Sequence, residues 1–549
     1  MIFPSTLLIS LFLTLALIPI LRNLAIKINA MDYPTPRKLH THPLPKIGGV
    51  AMAIGCLIPV ALYANGNQFM RAVLIGTSIV VVFGVIDDFK DLGYKFKFLG
   101  QILAGAVVIF YGGLKISSLG VCLPEGVHLP DVLAIPLTLL AIVGVTNAIN
   151  LSDGLDGLAG GSSLLTFICI GYLAYTGAYI GSNHFIAMMS AAVIGAIFGF
   201  LRFNTYPAMI FMGDAGSQLL GFLAITLSLG LTQCNTPLSS FLPLLLLGFP
   251  VLDTLTVMAE RIANGKSPLK ADKNHFHHKL LRLGLFHTEA VVTIYSITAL
   301  LVLSAFFFRF YSEWFLLIIY LMFSGLIIGG FLIADKTGWR VQRYDLVDKV
   351  IKGKLAILKE KHILSKVSFH FIEIAVPLLL VFSCLLPAKI PFIYSGFALA
   401  LTGITIVTWI FMKNWLLGAL RITYYLLVLL TLRLGQVDIV SWMNTKGTML
   451  YNLSFLVLAF FVVLTLKFTR RKKGFKVTPM DFLILVIAIV VPNLPDPRIQ
   501  NLHMGFLATQ MIVFFFSFEV LVGELRGHIN RMGTAILVAM SLIAIRGVF

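Results

Sequence analysis

Apolar runs of roughly 17 to 22 residues, each long enough to cross a bilayer as a helix, recur along the whole chain and are separated by short polar loops. This pattern predicts an all-α polytopic membrane protein. About eleven spans fall near 3–22, 48–64, 70–86, 98–113, 130–149, 162–180, 184–201, 216–232, 239–259, 289–308 and 314–334. About seven more fall near 369–387, 391–411, 415–432, 449–467, 480–496, 503–522 and 532–548. Between the two groups, Lys352, Lys354, Lys359 and Lys361 interleave with Leu and Ile, as in a linker or an interfacial helix. The chain therefore divides into a membrane domain (1–334), a basic linker (335–367) and a multispan extension (368–549). The extension carries isolated charges such as Glu373, Glu519 and Glu524, but repeats none of the polar motifs of the first part.

The basic residues sort the loops. With the N-terminus outside, the inward loops hold Arg22, Lys27, Arg37, Lys38 and Lys46, then Lys90, Lys95 and Lys97, then Arg202, then Arg261 to Arg282; the outward loops hold little beyond Arg71, Lys115 and Arg309. Every polar cluster then lies at the inner face. These are Arg37-Lys-Leu-His40 through Pro45-Lys46-Ile-Gly48-Gly49, Asp87-Asp88-Phe-Lys-Asp91, Asn147 to Leu158, Phe211-Met-Gly213-Asp214-Ala-Gly-Ser217, and His275-Phe-His277-His278-Lys279.

Composition narrows the class further. The 549 residues are 58% hydrophobic and 12% charged, with mean hydropathy +0.94, outside the range of soluble globular domains. The formal charge of +18 sits in the short loops, so membrane orientation accounts for it and no nucleic-acid partner is implied. Five single cysteines offer neither a disulfide framework nor a metal site. The first apolar run, Leu7 to Leu21, has no basic residue before it and no small-residue cleavage site, so it reads as a first span and not a removable signal.

The candidate chemistry lies in the carboxylates. Asn147 and Asn150 are one helical turn apart, Asp153 and Asp156 continue the same step, and all four are placed to face one pocket at the end of a span. With Asp87, Asp88, Asp91 and Asp214 they crowd negative charge at one membrane face, where a divalent cation would hold the acids ionised. Oxygen-only ligands favour Mg2+, or Mn2+ in its place. Zinc at the histidines is a weaker alternative, because His275, His277 and His278 are poorly spaced for tetrahedral ligation. The basic loops suit a phosphorylated substrate whose headgroup lies in the cytosol and whose lipid tail lies between spans.

These five motifs, in this order, resemble those of the polyprenyl-phosphate N-acetylhexosamine-1-phosphate transferase superfamily, over roughly residues 1 to 334. Asp91 and the HxHH pattern resemble the branch that makes undecaprenyl-diphosphate N-acetylglucosamine. The resemblance implies transfer of N-acetylglucosamine 1-phosphate from UDP-N-acetylglucosamine to undecaprenyl phosphate, with release of UMP, at the cytoplasmic face of a bacterial inner membrane. It implies that Asp214 is the principal Mg2+ ligand and that Asp87 and Asp88 bind or deprotonate the lipid phosphate. Asn147, Asn150, Asp153 and Asp156 would orient the nucleotide and support the metal. Lys46, Asp91, His275, His277 and His278 would bind substrate. The product would be the first lipid-linked sugar of a surface polysaccharide, and a homodimer is compatible with this reading. Another UDP-HexNAc or UDP-MurNAc-pentapeptide donor is the alternative with the same chemistry. A multispan transporter or lipid flippase is the alternative from another class, although its acids would be expected near the bilayer midplane and repeated in both halves.

Overall fold

The computed structural model describes residues 2–28, 30–34, 42–63, 67–90, 92–124, 127–177, 183–233, 236–267, 274–341, 363–411, 413–437, 440–468, 504–524 and 530–547. Asp91, the loop residues 35–41 and the span expected near 480–496 lie outside them, as does most of the basic linker. The chain folds as two compact units that divide at Gln342 and Arg343.

The first unit is helical apart from a two-stranded ribbon. Its helices are α1 (Ile2–Lys27), α2 (Gly48–Tyr63), α3 (Gln68–Lys90), α4 (Tyr94–Ala106), α5 (Asp131–Ser152), α6 (Leu158–Thr176), α7 (Asn183–Asn204), α8 (Gly213–Thr232), α9 (Leu242–Leu246), α10 (Gly248–Ala263), α11 (Phe276–Arg282), α12 (His287–Phe307) and α13 (Glu313–Thr337). The strands β1 (Met31–Asp32) and β2 (Leu44–Pro45) pair antiparallel beside the start of α2. Nine helices of this unit, among the described residues, have the length and apolarity of a membrane span. α2 is shorter, and the ninth expected span, 239–259, is not one helix. It breaks at Leu247, between α9 and α10. Pro250 has no N–H to donate to the carbonyl of Leu246, which removes one bond of the ladder at the break.

α8 is the hub. The whole of its apolar window is buried, and it packs against α2, α3, α5 and α6. Small residues allow this: a Cβ on Gly49 would lie 2.1 Å from the backbone nitrogen of Gly216, so α2 and α8 touch backbone to backbone. The segments ahead of these two helices also pair. The Phe211 amide donates to the Pro45 carbonyl at 2.9 Å, and the Gly48 and Gly49 amides donate back to Phe211 and Met212 at 3.0 and 2.8 Å. The Pro45-Lys-Ile-Gly-Gly and Phe211-Met-Gly-Asp motifs, more than a hundred residues apart in the chain, are thereby one structure.

The second unit holds α14 (Ile363–Leu385), α15 (Phe392–Phe411), α16 (Lys413–Val437), α17 (Thr445–Phe468), α18 (Met504–Glu524) and α19 (Asn530–Arg546). Three of these have the length and apolarity of a span. They enclose a core in which Tyr424 stacks on Phe518 at 4.3 Å. Two of its acids are not isolated as the sequence suggested: Glu519 pairs with Arg421 at 2.8 Å and Glu373 with Arg531 at 3.0 Å. The Glu519–Arg421 pair is the more buried of the two, and pairing offsets part of the cost of removing either charge from water.

Candidate active site

Four helix ends meet where the polar motifs lie: the C-termini of α3 and α5 and the N-termini of α2 and α8. Each terminus leaves backbone groups without an intrahelical partner, so polar side chains are needed there. Asp88, at the end of α3, caps α8. Its two carboxylate oxygens accept from the Asp214 amide at 2.8 Å and the Ala215 amide at 3.0 Å, which also places negative charge at the positive end of the α8 dipole. Gly213 makes this possible. Its φ is +72°, and a Cβ there would lie 2.5 Å from Asp88 Oδ2.

Asp214, in the first turn of α8, is held from two sides. Lys97 Nζ approaches Oδ2 at 2.8 Å, and Asn150 Nδ2 donates to Oδ1 at 2.6 Å. Asn150 also reaches Ser217 Oγ at 2.7 Å. The same Lys97 ammonium lies 3.0 Å from Asp87, whose carboxylate is buried at 2% exposure and also accepts the Leu92 amide at 2.9 Å. One lysine thus bridges the end of α3 and the start of α8. The sequence reading had Lys97 only as a loop charge, yet it stands four residues before Gln101, on the same face of α4, and Gln101 joins the layer below. In that layer Asn147 Nδ2 donates to Gln101 Oε1 at 2.6 Å, while Gln101 faces Gln218 at 3.2 Å.

A cavity of about 350 Å3 opens above Asp214, lined by Asp88, Asn150, Asp153, Asp156, Lys46 and His278 together with Asn204, Ser217 and His287. Asp156 accepts the Ala208 amide at 2.9 Å, and its own amide donates to His287 Nε2 at 3.2 Å. Lys46 pairs with Asp32 of β1 at 3.2 Å. Asp153 carries the electrostatic load of the site. Burial, and then the negative charges of Asp214, Asp156 and Asp88, push its carboxyl up to about 7.

Several expectations are corrected here. Asn147 does not face the cavity with Asn150; it is one turn deeper and belongs to the amide layer. Asp87 is engaged by Lys97 and Asp88 by the α8 amides, partners that the spacing along the chain did not reveal. The HxHH motif divides by role. His275 is buried and its Nδ1 lies 2.8 Å from Asp253 of α10, a residue the sequence reading did not single out; the other Asp253 oxygen accepts the Phe276 amide at 2.7 Å. His277 is also buried, its ring parallel to that of His275 at 5.8 Å and packed so closely on Gly154 that a Cβ there would lie 2.2 Å from Nε2. Burial, reinforced by the neighbouring His278, His275 and His287, pushes His277 down to about 3, so it is neutral. Of the three histidines only His278 lines the cavity. A helix of seven residues turns successive side chains by about 100°, so one motif cannot present three rings to one ligand.

The donor set facing the cavity is oxygen-rich and carries excess negative charge around Asp153, which suits a hard cation. Among the described residues no three acidic, histidine or cysteine side chains form a preformed metal cage.

Fold and site define a polytopic all-α membrane protein with an acid-lined cavity where its helices end. The glycosyl transferase family 4 model matches residues 70–232, the stretch that supplies Asp87, Asp88, Lys97, Asn150, Asp153, Asp156 and Asp214. The chain is 39% identical over 350 residues to a probable undecaprenyl-phosphate N-acetylglucosaminyl 1-phosphate transferase of Bacillus subtilis, an alignment covering 63% of this chain and 94% of that protein. It is 32% identical to the undecaprenyl-phosphate alpha-N-acetylglucosaminyl 1-phosphate transferase of Yersinia pestis, over 62% of this chain and 93% of that one. It is 37% identical to a decaprenyl-phosphate N-acetylglucosaminephosphotransferase of Mycolicibacterium smegmatis, over 50% and 74%. The chain belongs to glycosyl transferase family 4, and is longer than these relatives.

Proposed function

We propose that the protein transfers N-acetylglucosamine 1-phosphate from UDP-N-acetylglucosamine to undecaprenyl phosphate, yielding undecaprenyl-diphosphate N-acetylglucosamine and UMP. The names of its relatives support the reaction class, the undecaprenyl phosphate acceptor and N-acetylglucosamine 1-phosphate as the group transferred. The observation that carries the reading is the placement of Asp214, clamped by Lys97 and Asn150, on a cavity shared with Asp153, Asp156, Lys46 and His278. The site lies at the basic, inward end of its helices, on the side where a cytosolic nucleotide and a lipid phosphate would meet.

In this reading a phosphate oxygen of the lipid attacks the sugar-bearing phosphorus of the donor. A new P–O bond forms, the bond to the bridging oxygen breaks, and UMP leaves with that electron pair. A phosphate monoester is largely dianionic near neutral pH, so positioning against charge repulsion is the larger task. Mg2+, with Mn2+ as substitute, would be held by Asp214 with Asp153 and Asp156 nearby, and would supply charge neutralisation for the diphosphate. Lys97 fixes the Asp214 carboxylate and Asp88 fixes the start of α8; both are positioning residues. Asp153, whose carboxyl is pushed up to about 7, is suited to take up any proton the lipid phosphate still carries, with Asp88 on the same cavity. Lys46 and His278 provide donors for the donor's phosphate and sugar oxygens.

The test is UMP release by the purified chain from UDP-N-acetylglucosamine, undecaprenyl phosphate and Mg2+, with UDP-N-acetylgalactosamine and UDP-MurNAc-pentapeptide as parallel donors. Release that requires lipid, metal and the first donor is expected. Turnover of another donor alone overturns the substrate assignment, and no turnover of any donor overturns the reaction.

A further inference from the structure

A second, larger cavity lies away from the acids, on the flank of α11. It is an apolar groove of about 950 Å3 between α12 and α13, floored by Ile297, Leu326, Ile327, Gly330, Phe331 and Ala334. α13 presents little of itself to the rest of the unit. Only 17% of its apolar window is buried, and Leu326 and Ile333 are 74% and 64% exposed. The character changes at one end, where Trp339 and Arg340 close the groove just beyond the C-terminus of α13. Arg340 donates one of its N–H groups to the Arg282 carbonyl at 2.9 Å, which anchors its guanidinium at this end of the groove. Lys336 and Arg340 outnumber Asp335 in the residues that end α13 and follow it, so this end carries net positive charge. Tryptophan and arginine at the mouth of an apolar channel match the vertical order of a bilayer leaflet, acyl chains below and phosphate above.

We infer that this groove binds one anionic phospholipid, with its acyl chains along α13 and its phosphate at Arg340. The charge selects the occupant: a zwitterionic lipid would bring an ammonium to the end where the Arg340 guanidinium lies, and an anionic one would not. The lipid also has a structural effect on the active site, because the groove wall is the support of the histidine helix. Phe331 stacks on Phe276 of α11 at 5.1 Å, Lys279 lies 5.5 Å over Phe276 and 5.8 Å over Phe331, and the Val341 amide donates to the Leu283 carbonyl at 2.9 Å. A filled groove fixes Phe331 and therefore braces the helix that carries His278.

The experiment uses the full chain, purified, delipidated and titrated with phosphatidylglycerol or phosphatidylcholine of matched chains, with retained lipids counted by native mass spectrometry. One phosphatidylglycerol per chain should be held in preference to phosphatidylcholine. Arg340→Gln should weaken it about fivefold. Gly330→Leu should remove it, since a Cβ at Gly330 meets nothing within 4 Å and the new side chain fills the groove without a clash. Hydrogen exchange at the amides of 276–283 should slow when the lipid binds to the wild type and not in Gly330→Leu; equal exchange in both overturns the bracing. Equal retention of the two lipids, or Gly330→Leu binding like the wild type, overturns the site. Displacement of phosphatidylglycerol one for one by undecaprenyl phosphate overturns the choice of occupant. None of these readouts needs turnover, so failure of the proposed reaction leaves them intact.

Discussion

Replacing Asp153 by Asn isolates the charge problem of the cavity. The carboxyl titrates near 7 instead of 3.8, because burial and the charges of Asp214, Asp156 and Asp88 all oppose its ionisation. At 1.36 kcal/mol per unit the ionised form is disfavoured by at most about 4 kcal/mol, and solvent at the cavity mouth brings this to about 2–4 kcal/mol. A folded-state value above the unfolded one means that the folded chain holds the proton more tightly. Stability is therefore full below about pH 4 and falls as the pH rises to about 7. Asn has no charge to bury, so Asp153→Asn should unfold at a higher temperature than the wild type near pH 8, and the gap should close near pH 4. The assay is thermal unfolding of the purified chain in metal-free buffer across that range. Adding Mg2+ near pH 8 should raise the wild type toward the variant, since a cation offsets the same repulsion. If Asp153→Asn melts at or below the wild type near pH 8, the placement of an electrostatically strained carboxylate in the cavity is wrong.

Further variants separate chemistry from support. Asp214→Asn should abolish UMP release while the protein still inserts and melts cooperatively; retained activity at saturating Mg2+ would remove Asp214 from the metal. Lys97→Met leaves Asp87 and Asp214 without their shared cation and should lower turnover about 10- to 100-fold, with Lys97→Arg recovering part of it in a steady-state assay. His275→Ala strands the Asp253 carboxylate in a buried site and should destabilise the chain by about 3 kcal/mol in chemical unfolding. His278→Ala, by contrast, should leave the melting temperature unchanged and raise KM for the nucleotide sugar about tenfold; the reverse pattern would undo the division of roles within the motif. With His277 pushed down to about 3, a pH–rate profile of UMP release should show no titration of that ring near neutrality.

The membrane class, most spans and the clustering of polar motifs at one helix end were legible from the chain, because a bilayer allows little besides long apolar helices and forces polar residues to their ends. The broken ninth span was not read from the chain: apolar length concealed it, and proline is no sure sign of a break when Pro136 lies inside the continuous α5. Periodicity placed Asn147 with Asn150 on one face; it could not tell how deep along that face the cavity ends.

What the sequence determined by itself was therefore which residues stand at the membrane boundary: Asp88, Asp153, Asp156, Asp214, Lys46 and the histidines. Only the tertiary structure decided how their charges are shared. Lys97 lies 117 residues from Asp214 and answers both it and Asp87. Asp253 lies 22 residues from His275 and takes it out of the cavity. The physical reason is that a carboxylate at a helix end is unsatisfied in the local chain and takes the nearest donor in space. Which donor that is depends on how α3, α5 and α8 pack, and hydrophobic patterning does not encode that.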